Sequence, residues 1–123
     1  NFGHTFAHGI EAANNYSRTI NHGEAVLIGM ILATRLSFKK KICSYSTLNK
    51  IETIYETNNL PKNLTDFFSK KILNKIVNFM EIDKKNYNNK INLILLRRIG
   101  KTTNPGNFKI TPKEMRNVLK KIS

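Results

Sequence analysis

"NFGHTFAHGIEAANNYSRTINHGEAVLIGM", residues 1–30, holds every histidine of the chain: His4, His8 and His22. On a helix, residues four apart share one face about a turn from each other, so His4 and His8 can address the same small object. Small residues flank each of the three, in Gly3-His4, Ala7-His8-Gly9 and His22-Gly23, and permit close approach. Taken singly, a histidine is more often a hydrogen-bonded, half-buried side chain than a ligand. Three gathered in one corner weaken that reading. Neutral imidazole is a standard zinc ligand, and zinc needs three or four donors from converging elements; the His4 and His8 pair is the natural candidate, and His22, folding back from the next helix, could be another donor. The zinc-protease pattern is absent, because Thr5 stands where its glutamate belongs.

The same stretch opens a mainly α architecture. Asn21 is a good N-cap residue and Glu24 is the partner a capping box needs three positions later, which puts His22 in the first turn of a helix. That helix runs on through "AVLIGMILATRLSF" (25–38), the most apolar segment. Arg35 interrupts it, and it is shorter than the roughly 20 residues of a bilayer span, so it reads as a buried helix. Apolar spacing predicts a further helix over 46–58, with Leu48, Ile51 and Tyr55 on one face. Another is predicted over 65–80, with Phe68, Ile72, Ile76 and Phe79. Asn58-Asn59-Leu60-Pro61 separates the two. The continuous apolar run Ile91 to Leu96, the turn signal Asn104-Pro105-Gly106-Asn107 and the run Phe108 to Ile110 predict one small β-hairpin. The last helix has the clearest start: Thr111 as N-cap, Pro112 at the first helical position and Glu114 completing a capping box, then Met115, Val118, Leu119 and Ile122 at core spacing.

At 123 residues the chain has the length of one domain, 1–123, and its first residue already sits inside the histidine-rich segment, as expected of a fragment whose N-terminal part is elsewhere. Its formal charge of +13 raises the prior for an anionic partner. The excess is discounted, since Lys, Asn and Ile make up more than a third of the chain, the bias of an AT-rich coding sequence. Lys39-Lys40-Lys41 reads as a solvated helix end, where lysines also favour the macrodipole. Cys43 is alone, which excludes an internal disulfide or a cysteine-based zinc site and fits a reducing, cytoplasmic compartment. "IGKT" at 99–102 is not a P-loop, because Leu95 replaces its first glycine.

"NFGHTFAHGIE" followed by "NHGEAVLIGM" resembles the paired signature of the 3-dehydroquinate synthase family. "MEIDKKN" and "INLILLRRIGK" are similar to downstream segments of the same family, in the same order. The resemblance implies the helical C-terminal domain of a dehydroquinate synthase-like fold, partner to an N-terminal α/β domain that binds NAD. It implies zinc, or another divalent metal such as cobalt, held by His4, His22 and a Glu outside this chain. His8, Asn1 and one of Lys84 and Lys85 would contact a phosphorylated sugar-acid substrate, 3-deoxy-D-arabino-heptulosonate 7-phosphate, and a homodimer is the implied assembly. Glu11 could orient a ligand from behind or equally serve a solvent or capping role, Glu24 is assigned to the cap, and Arg97-Arg98 to a solvent-facing strand end. Two departures stand out. Ala7 and Gly9 exchange the family's usual Gly and Ala around His8, and the connection from His4 to His22 is a residue or two longer than usual.

Three classes of function are thereby ranked. First comes the cyclase domain, with a sister cyclase or a metal-dependent polyol dehydrogenase as variants. A basic nucleic-acid-binding module would leave the histidines unexplained and needs a basic stripe with interleaved aromatics, whereas the lysines are scattered. A non-catalytic interaction domain fits poorly with an intact histidine set. No nucleic acid and no membrane are expected as partners.

Overall fold

Small residues let the first two helices approach backbone to backbone. Among the residues that the computed structural model describes (2–17, 20–84 and 89–123), the chain forms five helices and four short strands. Helix α1 (His4–Ser17) packs against α2 (His22–Lys39) on one side and α4 (Lys70–Lys84) on the other. A Cβ built on Gly29 of α2 would lie 2.6 Å from the Gly3 carbonyl oxygen and 3.0 Å from the Ala7 amide nitrogen. A Cβ on Gly9 would lie 2.8 Å from Met80 and 2.9 Å from the Ile76 carbonyl of α4. Ala7 and Gly9 therefore serve packing: Ala7 faces α2 and Gly9 admits α4. Phe6, Ile10 and Ala13 of α1, Ile28, Leu32 and Leu36 of α2, and Ile76 and Met80 of α4 are wholly buried around this crossing.

Helix α2 is the central strut. Its capping box is complete: Asn21 Oδ1 accepts from the Glu24 amide at 2.8 Å and Glu24 Oε1 accepts from the Asn21 amide at 3.0 Å. Midway, Arg35 donates through Nε to Glu52 at 2.9 Å and through a terminal nitrogen to the Ile122 carbonyl at 2.8 Å. One guanidinium thus ties α2 to α3 (Tyr45–Thr57) and α5 (Pro112–Ile122). Near the end of α2, the buried Ser37 hydroxyl donates to the Ala33 carbonyl at 2.6 Å and accepts from the Leu96 amide at 2.9 Å, holding the β-segment to the helix. Lys39 closes the last turn, and Lys40 is drawn into an ion pair with Glu114.

The elements differ from the sequence expectations in three places. The helix expected over 65–80 is split: a 3-10 turn at Leu64–Asp66 buries Leu64, Phe68 folds under after it, and α4 begins only at Lys70 and continues to Lys84. Its buried stripe is Leu73, Ile76, Val77 and Met80, while Ile72 and Phe79 are half-buried. The single hairpin is replaced by two nested ladders. Strand β1 (Ile91–Leu93) pairs antiparallel with β4 (Phe108–Ile110), and β2 (Leu96–Arg98) with β3 (Lys101–Thr102). The run breaks at Ile94 and Leu95 because Thr103 takes over both backbone groups of Leu95, its hydroxyl accepting from the Leu95 amide at 3.0 Å and its own amide donating to the Leu95 carbonyl at 2.8 Å. At α5, the Thr111 hydroxyl accepts from the Glu114 amide at 3.1 Å, but the Glu114 carboxylate turns to Lys40, leaving the box half made.

The remaining expectations of the mainly α fold agree with the structure. Arg97 and Arg98 are exposed. Cys43 is buried, which pushes its thiol pKa up and makes it a poor nucleophile. No helix among the described residues is long and apolar enough to cross a membrane.

Two glycines of α2 should respond oppositely to alanine. Gly29→Ala forces backbone apart and is expected to lower stability by about 1–3 kcal/mol. The Gly23 position offers only Asn21 Oδ1 at 3.5 Å, so Gly23→Ala should raise stability by roughly 0.5–1 kcal/mol through helix propensity. Urea denaturation of the two variants reads the sign. A second expectation concerns alkaline pH. Tyr55 is buried with its hydroxyl donating to the Leu27 carbonyl at 2.6 Å, and burial pushes its pKa from 10.0 up to about 12. A phenol whose folded pKa is raised stabilises the fold fully below its unfolded pKa and loses that contribution as pH climbs from 10.0 toward about 12. The stability gap between wild type and Tyr55→Phe should therefore shrink over this window; a gap independent of pH would contradict the buried phenol.

Candidate metal and substrate corner

The corner begins with α1. His4 is its first residue, and His4, His8 and Glu11 follow at i, i+4 and i+7, the spacing of one helix face. Both imidazoles are exposed, with ring centroids 5.7 Å apart and planes at 38°. Buried Phe6, Ala7 and Ile10 occupy the opposite side, so the apolar half of the helix fixes which way the histidines face. Before α1, Gly3 takes a φ of 80°, a left-handed conformation suited to glycine, and its carbonyl accepts the Ala7 amide at 3.0 Å.

His22 arrives from α2. It is the first residue of that helix, set by the capping box at Asn21, and its side chain is 75% exposed. Its Nδ1 lies 2.6 Å from Glu11 Oε2. This contact brings the start of α2 onto the His4, His8 and Glu11 face. The connection between the helices is fastened by Asn14, whose side-chain oxygen accepts from the Ile20 amide at 3.1 Å and whose amide group donates to the Ile20 carbonyl. A side-chain amide standing in for a peptide thereby holds the residue that leads into Asn21 and His22.

His4 and Thr5 also line a cleft of about 260 Å³ with Asn92, Leu93, Ile94, Pro105 and Gly106. Sequence reasoning took 104–107 only as a turn and passed over Asn92. The available signal was period two: Ile91 and Leu93 are buried toward the core, so Asn92 between them must point the other way. Lys84 ends α4, whereas Asn1 and Lys85 lie outside the described residues.

The donor chemistry suits a divalent cation of the zinc type, since exposed imidazoles are gathered on one face and one is backed by a carboxylate. Among the described residues, no three His, Cys, Asp or Glu side chains are grouped to hold an ion. The corner thus offers part of a coordination set.

A family model described as 3-dehydroquinate synthase C-terminal matches residues 1–86. The chain belongs to that family. Similar proteins include the 3-dehydroquinate synthases of Pelagibacter ubique, 49% identical over 100 residues, and Dictyoglomus thermophilum, 43% identical over 106 residues. These matches cover 81% and 82% of this chain but only 27% of each relative, so the chain spans about a quarter of the length of the curated relatives it matches. The fold is also similar to the solved structure of 2-deoxy-scyllo-inosose synthase complexed with carbaglucose-6-phosphate, NAD+ and Co2+. That likeness has a TM-score of 0.73 at 21% identity and covers 99% of this chain and 33% of the other. The matched residues 1–86 include the histidine-bearing beginnings of α1 and α2.

The cap that presents His22 is testable by itself. Asn21→Ala removes the acceptor for the Glu24 amide and should lower stability by about 1 kcal/mol, with Asn21→Ser or Asn21→Asp restoring most of it. Thermal unfolding of the three variants measures this.

Proposed function

We propose that this chain is the helical C-terminal part of a cytoplasmic, homodimeric 3-dehydroquinate synthase, which closes 3-deoxy-D-arabino-heptulosonate 7-phosphate to 3-dehydroquinate with loss of phosphate. The match of residues 1–86 to the family carries this reading, because it includes all three histidines. Sequence relatives at 36–49% identity favour it over a sister cyclase, since the inosose synthase likeness, at 21% identity, speaks only to fold.

In this proposal His4 and His22 hold a zinc or cobalt ion together with a carboxylate from elsewhere in the longer polypeptide. His8 and Asn1, with the ammonium of Lys84 or Lys85, bind the substrate phosphate. A bound metal ion would supply Lewis acidity that lowers the pKa of substrate hydroxyls, and NAD, bound by an N-terminal domain outside this chain, the reversible hydride transfer. The residues of this chain orient. A phosphate gripped by imidazole, amide and ammonium donors is fixed in direction as well as place, which converts a loose encounter into an aligned one. Elimination then proceeds with the departing phosphate held where it can itself accept a proton. The cleft that His4 lines would leave room for a substrate.

The complete enzyme tests the assignment. His4→Ala and His22→Ala should each lose bound metal by elemental analysis and reduce turnover of the heptulosonate phosphate by at least roughly a hundredfold. His8→Ala should keep its metal while raising KM or lowering kcat. Full metal content and turnover in either of the first two variants would remove the ligand assignment, and turnover only of a different sugar phosphate would favour the sister cyclase.

A further inference from the structure

We propose that Glu11 is a positioning residue for His22, holding the imidazole in the tautomer with the proton on Nδ1 so that the Nε2 lone pair is the one offered outward. This deepens the metal-ligand reading of His22 and rests on it. The argument starts from the 2.6 Å contact between His22 Nδ1 and Glu11 Oε2. An ionised carboxylate only accepts, so the proton in this hydrogen bond sits on Nδ1. In the neutral ring the other nitrogen is then a bare acceptor, the form a metal requires. His22 needs such a restraint. Its side chain is 75% exposed, and an unrestrained imidazole in water samples several rotamers and both tautomers.

Glu11 is placed to provide the restraint. It is the sole acidic residue of α1, one turn beyond His8, and only 33% exposed at its side chain. Glu24, the other carboxylate near His22 in sequence, is occupied by the cap. Both partners are mounted on fixed backbone: Glu11 on a helix locked by the Gly3, Ala7 and Gly29 contact, and His22 on a capped first turn. The carboxylate thus selects the ring's donor nitrogen before any ion arrives.

Two measurements on the complete polypeptide test this. With 15N-labelled histidine and no metal, long-range NMR correlations should show His22 as the Nδ1–H tautomer in wild type and in Glu11→Gln, whose side-chain oxygen still accepts, and a mixture in Glu11→Ala. Titration with cobalt(II), followed by its visible absorption, should weaken about ten- to a hundredfold in Glu11→Ala and recover in part in Glu11→Gln. An unchanged tautomer and unchanged cobalt affinity in Glu11→Ala would overturn the proposal. If Glu11 sets the tautomer but His22→Ala leaves cobalt affinity intact, the ligand reading of His22 fails while the hold of Glu11 on the ring stands. Should the alanine variant fail to fold, the wild type itself stays decisive: a metal-free His22 that carries its proton on Nε2 overturns the proposal.

Discussion

The contact of Gly3 and Ala7 with Gly29 sets the geometry on which the rest of this structure depends. Ordinary helix pairs meet through side chains and lie 8–10 Å apart, which leaves them freedom to slide by a fraction of a residue. Here the Gly29 Cα faces the Gly3 carbonyl and the Ala7 amide so closely that even a methyl group is excluded. A contact between backbones has no rotamers to adjust, so the relative register of α1 and α2 is fixed. Gly9 does the same on the α4 side. With α1 clamped between two neighbours, its outward face of His4, His8 and Glu11 is presented at a fixed distance from the start of α2. The 2.6 Å contact between Glu11 and His22 is a consequence of that register as much as of the two side chains themselves.

The interior polar groups extend the same frame to the β-segment. Ser37 uses its hydroxyl in both directions, and its backbone carbonyl also receives the Ile42 amide at 2.8 Å, so one buried residue ends α2 and seats β2. A buried hydroxyl would be a liability without partners; with its donor and an acceptor position engaged it specifies where the strand must lie. Thr103 closes the nested ladder in the same manner. These anchors hold the β-segment that carries Asn92 and the Pro105-Gly106 turn beside His4. The cleft is therefore built from residues distant in sequence and braced by polar bonds inside the core.

What the sequence made legible was local. The cap at Asn21, the start of α5 at Thr111 and Pro112, the breaker at Asn58 to Pro61 and the shared face of His4 and His8 each depend on residues within four positions of one another. The missed features depend on longer reach. Helix period alone continues the 65–80 stripe through Phe67 to Ser69, but burying Leu64 and Phe68 together favours a tight 3-10 turn, which restarts the helix at Lys70. Apolarity alone makes 91–96 one strand, until Thr103 intercepts Leu95 from eight residues away. Glu114 has the right spacing for a capping box and is diverted by Lys40, 74 residues earlier. At the site, the roles of Glu11 and Asn92 could be raised from the sequence only as a possibility or not at all, because each is decided by a partner on another element.

The high positive charge finds its place in the same picture. Several basic side chains are neutralised locally, Arg35 by Glu52, Lys40 by Glu114 and Arg116 by Glu81, and these pairs join helices rather than line the histidine face. Among the described residues these carboxylates tie elements together, and Glu11 reaches a histidine. In a molecule with 21 basic and 8 acidic residues, a carboxylate beside an imidazole is not the product of abundance. Placing one of so few at the crossing of α1 and α2 is a use of charge that stability alone does not require, since an exposed pair of this kind contributes little to folding. Its effect is on the ring: which nitrogen carries the proton, and which is left to bind.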